Sequence, residues 1–332
     1  MEVLMQAWRE VYDGGSPEAE KQIFLDLAAK MLEIQQNNMV RSGKTRYDRT
    51  LHSKMVVGVT NASLIVDDII PEAFRVLHFQ PGATIPVAVR FSNASAIPQP
   101  DSAPDMRGIA LKMTLNETAI HDFLLTSFPV SHARNARQFV DFASLAQGPR
   151  ETFKERLLSS FGEAETKRML DNIQQGARPC TSLAMQRFWS RGAILWGEEA
   201  VRFDLRPAWS HSAVAAADEV SDDLRKELSN RLVVAPVSFR LAVQRFVDEE
   251  KTPIEDAGVQ WREEISAPIE IATLHIPCQN IYDEEGVRAA QEVDAMAFNP
   301  WNAPPLFRPL GNLNRVRGVV YGMSAQRWQH QS

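Results

Sequence analysis

Apolar positions recur along the chain first at helical and then at strand spacing. In residues 16–40, SPEAEKQIFLDLAAKMLEIQQNNMV, the side chains of Ile23, Phe24, Leu27, Met31 and Leu32 share one face of a 3.6-residue period. Ser16 before Pro17 supplies an N-cap and a first helical residue whose missing N–H costs nothing there. From about residue 54 to 126 the texture changes to short runs rich in β-branched residues: MVVGVT, SLIV, TIPVAVRFS, MRGIALKMTL and HDFLLTSF. The segments NAS, PGA, PQPDSAPD and NET separate them, which predicts an antiparallel sheet or barrel. Residues 134–176 predict helices, in ARQFVDFASLA and ETFKERLLSSFGEAETKRMLDNI. Strands return in AILWGEEAVRFDLRPAW, RLVVAPVSFRLAVQRFVD and APIEIATLHIP, with a helix expected over 222–232. Strands and helices in blocks, without strict βαβ alternation, predict an α+β chain built on a β-barrel. The expected division is an N-terminal helical extension over 1–45 and a barrel core with helical insertions over 46–332.

The length of 332 residues allows about two domains or one large barrel with helical additions. With 44% apolar and 23% charged residues the chain is globular, neither disordered nor fibrous. Its net charge of −6 leaves no basic excess to meet a nucleic-acid backbone. Two cysteines, Cys180 and Cys278, are too few for a structural zinc site or a disulfide framework; buried thiols in a reducing compartment are expected. No signal-like apolar segment and no run of about 18 apolar residues is present. The expectation is a cytoplasmic protein with no membrane span and no nucleic-acid partner. No GxGxxG or GxxxxGK[ST] occurs, which removes weight from nucleotide-binding folds.

Only four tyrosines are present, and one stands in an unusual place. Within FNPWNAPPLFRPLGNLNRVRGVVYGMSAQRWQHQS, Arg315, Arg317 and Arg327 cluster around Tyr321. On a helix Arg317 and Tyr321, four apart, share a face. A cation beside a phenol favours the phenolate, a hard anionic oxygen ligand suited to ferric haem. His52, in DRTLHSKMVVGV at the entry to the first strand, could serve a bound peroxide as base and then acid, with Arg49 three residues before it. Taken alone, each residue reads first as an ordinary structural side chain.

Three segments together resemble the haem catalase superfamily. TLHSKM after an arginine is similar to the catalase distal segment Arg-x-x-His-[Ala/Ser]-Lys. IPVAVRFSNAS followed by PDMRGIALKM is similar to Val-Arg-Phe-Ser followed by Arg-Gly-[Phe/Ile]-Ala-[Val/Leu]-Lys, and VRGVVYGMSAQRW to the proximal helix with its Arg-x-x-x-Tyr. They occur in family order over residues 49–328. The resemblance implies an antiparallel β-barrel with surrounding helices, haem b between barrel and helices, and a C-terminal proximal haem helix. It makes Tyr321 the iron ligand, Arg317 its charge partner, His52 the distal base and Ser92 the support behind the imidazole. Arg49, Arg90 and Arg327 would hold the haem propionates, although Arg327 is shifted by one residue from the family spacing. Phe139 would lie against the porphyrin.

Two positions depart from catalase. Aligned on Asp122 and Pro129, the distal asparagine of catalases falls on Thr126, a shorter side chain with one donor. Leu51 precedes the histidine where allene-oxide-forming relatives carry threonine. The chain is also shorter than typical catalases and is similar in size to small catalase-related peroxidases. The expected function is a haem peroxidase reducing hydrogen peroxide or organic hydroperoxides with an unidentified electron donor, weak in catalase activity, acting as a homodimer. The alternatives are a fatty-acid hydroperoxide isomerase, dehydratase or lyase, and a haem binder or sensor without turnover. His121 and His132 are expected at the surface or behind the site, the region of Trp301 and Phe307 packs the proximal loop, and His78, His211, His275 and His330 receive no role.

Overall fold

Period-2 alternation closes a sheet on itself. In the computed structural model, which describes residues 6–208 and 223–329, β1 (Met55–Val66), β2 (Thr84–Asn93), β3 (Arg107–Thr114) and β4 (Ile120–Thr126) pair antiparallel in sequence. The short β5 (Phe188–Trp189) bridges β4 to β7 (Glu199–Pro207), on which β6 (Ile194–Trp196) folds back as a hairpin. β8 (Val237–Arg245) and β9 (Ile269–Ile276) complete the circuit from β7 to β1, giving a closed eight-stranded antiparallel barrel with β6 beside it. Val87, Val89 and Phe91 of β2, Ile109, Leu111 and Met113 of β3, and Phe123 and Leu125 of β4 join the barrel core. Residues of the opposite parity, including Arg90 and Ser92, face outward yet are buried, because helices cover that wall. The Asn-Ala-Ser segment, expected as a separator, is instead an irregularity within β1, with the register shifting between Val59 and Ala62. A bulge absorbs the polar residues without ending the strand.

The covering layer is α1 (Pro17–Arg41), α2 (Ala136–Leu145) and the C-terminal α6 (Asn312–Gln329). α1 starts as expected, with the Ser16 hydroxyl accepting from Ala19 N at 3.2 Å. Its Phe24, Leu27, Ala28, Met31 and Ile34 pack with Ala136 and Val140 of α2 and Val316 and Val320 of α6. α3 (Phe153–Gly176) breaks at Gly162, whose φ of 75° is open to glycine and costly for other residues. α4 (Leu224–Val234) stands where the 222–232 helix was expected. Asp222 at its start, like His211 and His330, lies outside the described residues. α5 (Glu284–Ala295), which no pattern above predicted, packs Val293 against Gly58 of β1, where a Cβ would come within 2.8 Å. Among the described residues no helix is long and apolar enough to cross a membrane. Cys180 is buried as expected, but Cys278 is exposed, just after β9 ends.

One arginine fixes α6 against α1. Buried Arg315 donates through Nε to Glu20 at 2.6 Å, and through Nη1 to Glu10 at 2.9 Å and Glu255 at 3.0 Å. Burial works against ionisation of Glu20, yet the Arg315 guanidinium holds its carboxyl below the usual range. Asn312 ties the same corner, donating to Glu20 at 2.9 Å and accepting from Ala136 N at 2.8 Å. Arg315→Met takes the cation from Glu20 and Glu255 and leaves Glu10 with Arg308 alone. It is expected to cost about 3–5 kcal/mol, read as a lower urea midpoint, with Arg315→Lys losing less; an unchanged midpoint in Arg315→Met would contradict this clamp.

Candidate functional site

The strand register places the expected distal residues in one row. Ser92 of β2 pairs with Gly108 of β3, which pairs with Thr126 of β4, and Arg90, Ala110 and Leu124 form the next row of the same parity. His52 reaches this outer face from the segment before β1. Its ring lies over Gly108, where a Cβ would sit 2.6 Å from Nδ1 and Cε1, so no other residue fits there unchanged. His52 Nδ1 and Ser92 Oγ are 3.0 Å apart, and Nε2 has no partner among the described residues. Burial first, then the guanidiniums of Arg90, Arg191 and Arg317, push His52 down to about 3, so the imidazole is neutral at pH 7.

The helical wall carries the expected proximal pair. Arg317 donates through Nη2 to the Tyr321 hydroxyl at 3.2 Å and through Nη1 to Asn314 Oδ1 at 3.0 Å. Asn314 in turn donates to Ala193 O at 2.8 Å, and its carbonyl accepts from Trp301 Nε1 at 2.8 Å. Trp301 thus packs on α6, while Phe307, expected with it on the proximal loop, is instead part of the barrel core.

Between the two walls lies a cavity with about 210 Å³ of space for water-molecule centres. A water needs about 10–15 Å³ on this measure, so a ligand far larger than a peroxide fits. His52, Arg49, Arg90, Ser92, Thr126, Phe139, Arg317 and Tyr321 all line it. The Thr126 hydroxyl donates to Phe128 O at 3.3 Å. Arg49 holds the mouth: it donates to Asp294 Oδ1 at 3.2 Å and Met296 O at 2.9 Å, and its guanidinium lies 4.3 Å from the Trp328 ring centroid. Arg90 is 3.8 Å from the same Asp294 carboxylate, and its Nε is buried without a partner.

Arg327 is a correction. It does not line the cavity; it donates to Leu32 O at 2.8 Å on α1 and lies over the Tyr47 ring. On a helix a position seven after Tyr321 returns to the same face, whereas one six after turns away. Trp328 therefore faces the cavity. His121 is a correction, buried among core aromatics and neither at the surface nor on the cavity, whereas His132 stands behind the cavity-lining Phe139, as expected. His121 Nδ1 lies 3.1 Å from His78 Nε2 among Phe79, Phe123 and Phe307, and His132 packs on Phe139 and Phe142.

Sequence reasoning missed Arg191, Asn314, Asp294 and Gly108. Asn314 precedes Arg317 by one helical turn, a spacing that could have shown it. Arg191 follows a two-residue strand and carries no periodic signal. Among the described residues only His52, Leu77 and Arg191 are non-glycine residues with positive φ, and two of the three line this cavity. Such strain gathers where function holds the backbone in place.

The chain is 26% identical over 256 residues to the catalase-related peroxidase of Mycolicibacterium paratuberculosis, covering 74% of this chain and 78% of that protein. No protein-family model matches it. Its fold superposes on a bacterial catalase with TM-score 0.66 and on a fungal catalase with TM-score 0.68, each at 18% identity over 85% of this chain. The chain adopts a catalase-like fold. It spans 57% and 59% of the two catalase chains.

Buried imidazoles make this fold acid-sensitive. Burial, with the nearby arginines for His132, lowers His78 to about 4 and His132 to about 3, and burial takes His121 well below 6.5. The unfolded chain therefore binds protons near pH 6.5 that the folded chain refuses. Stability should fall as pH drops from about 6.5 toward 4 and the loss should level off below the folded values. Urea midpoints at pH 7, 6 and 5 test this, with a shallower fall in the His78→Gln, His121→Gln double variant; a flat profile would contradict it.

Proposed function

We propose that the protein is a haem b-dependent peroxidase that reduces hydrogen peroxide or organic hydroperoxides at the expense of an electron donor. The observation that carries the reading is the pairing of a base on the barrel wall, His52 on Ser92, with a phenol on the helical wall, Tyr321 on Arg317, across one cavity. The residues present fit haem. Arg49, Arg90, Arg191 and Arg317 line the cavity with no Asp or Glu among the lining residues, so an anionic group suits it. The orphaned Nε of Arg90 lacks the acceptor a propionate would bring. On the helical wall the Tyr321 oxygen, held by Arg317, is the donor this reading offers to iron.

In this reading Tyr321 would ligate the iron, Arg317 would balance the phenolate charge, Arg49 and Arg90 would hold the propionates, and Phe139 and Val140, which line the cavity, would face the macrocycle. Bound haem supplies the redox chemistry that cleaves a peroxide O–O bond. The chain supplies the proton path. Neutral His52 takes the proton of a peroxide at Nε2 and returns it to the departing oxygen, while the Ser92 hydroxyl holds the ring through Nδ1. Thr126 contributes one short hydroxyl, already directed at Phe128 O, so orientation of hydrogen peroxide for dismutation is weak. Met31, Leu51, Leu124 and Phe298 make much of the lining apolar. That observation favours a second reading, rearrangement of a lipid hydroperoxide.

The test uses haem-reconstituted protein, with oxygen release measured beside dye oxidation by hydrogen peroxide and by cumene hydroperoxide. Dye oxidation with little oxygen is expected. His52→Gln should lower turnover by about 10²–10⁴-fold, and Thr126→Asn should raise oxygen release. Absence of dye oxidation, with isomerised products from lipid hydroperoxides, would replace the peroxidase reading with the second.

A further inference from the structure

Arg191 is a charge the proposed function leaves unused. The 190–193 loop is clamped to the proximal helix: Asn314 Nδ2 donates to Ala193 O at 2.8 Å, and a Cβ on Gly192 would fall 2.3 Å from that nitrogen. The loop therefore sits beside the Asn314–Arg317–Tyr321 chain of hydrogen bonds. Arg191 projects into the cavity that Tyr321 and Arg317 line, and it makes no hydrogen bond or ion pair among the described residues. Carboxylates on flanking segments are taken: Glu263 pairs with Arg187 and Arg206, and Asp256 with Arg134. The backbone pays for this placement, since Arg191 has φ 60°. A side chain that anchors nothing, on a strained backbone, is not there for the fold.

We propose that Arg191 is a second proximal cation, acting with Arg317 on the Tyr321 oxygen to raise the reduction potential of the iron that Tyr321 holds. The inference rests on the haem reading above. Arg49 and Arg90 already answer the two propionates, and Arg317 answers one phenolate. Arg191 is the surplus positive charge beside the proximal helix, in a partly enclosed cavity where charge is less screened than in bulk water. A fixed cation favours the state that has gained an electron. It also draws electron density from the ligand oxygen, which tempers the donation that a lone phenolate makes to the metal.

The experiment compares haem-loaded wild type with Arg191→Gln, Arg191→Lys and Arg191→Gly. Midpoint potential is read by spectroelectrochemistry, the tyrosine-ligated absorption spectrum confirms loading, and thermal unfolding reports the backbone. Gln and Gly should shift the midpoint to more negative values by similar amounts, and Lys should stay close to wild type. Gly should also unfold at a higher temperature than wild type, because it relieves the left-handed conformation. A purely structural role would leave the midpoint in place. Equal midpoints in Gln, Gly and wild type would overturn the proposal, as would a Lys variant shifted as far as Gln, or loss of haem uptake in Gln. A wild type that takes up no haem, or binds it without the tyrosine-ligated spectrum, would overturn the haem reading and this inference with it.

Discussion

Four guanidiniums around one cavity, with no carboxylate among its lining residues, are the constraint from which the rest of the structure follows. Arg49 and Arg90 share Asp294, with Asp48 also acting on both, while among the described residues Arg191 and Arg317 pair with no acid. Burying an unpaired cation costs several kcal/mol even after relaxation. The field is visible in the groups themselves: burial, with the neighbouring cations, pulls Arg90 down to about 9 and Arg191 to about 10, both still charged at neutral pH. A fold keeps such an arrangement only if its walls are held rigidly by other means and if something anionic repays the cost.

The walls are held by two unlike devices. On one side the barrel fixes backbone position through its ladders, so that every second residue of β2, β3 and β4 is presented outward at a set spacing. On the other side three helices are fixed by side chains. Arg315 gathers Glu10, Glu20 and Glu255. Gln35 of α1 donates to Asp48 O at 2.6 Å and to Ser324 Oγ at 3.0 Å, and Thr50 meets the same serine at 2.8 Å. That second junction joins α1, α6 and the segment carrying Arg49 and His52. The N-terminal helix, expected as an extension, is in this way part of the wall that positions the site.

The parts of the site that sit on regular elements were legible. Alternation in IPVAVRFSNAS puts Arg90 and Ser92 on one face, and an interval of four puts Arg317 beneath Tyr321. Reading failed where one residue changes a face or where no period exists. Arg327 and Trp328 differ by one position, which on a helix is about 100°, and only Trp328 points inward. Arg191 lies between strands of two and three residues, too short for any pattern. α5 was missed although Asp283 caps it, accepting from Gly286 N at 2.8 Å, because its apolar face is made mostly of alanine and glycine. Gly108 could not be read as functional at all, since what it contributes is the absence of a side chain under an imidazole.

That absence bears on the chemistry. The distal row runs Ser92, Gly108, Thr126: one hydroxyl spent on the His52 ring, one position left empty for it, and one hydroxyl turned toward a backbone carbonyl. The row provides a well-placed proton acceptor but little that could grip a small, symmetrical peroxide from a second direction. Hydrogen-bond donors to charge developing on the departing oxygen are scarce on this wall, and stabilisation there is usually a large part of catalysis. The positive charge is concentrated instead at the mouth and on the proximal side. In the peroxidase reading proposed above, control over the reaction would rest less on the barrel wall than on the helical one, and the guanidinium of Arg191, unpartnered among the described residues, is where this chain would exert it.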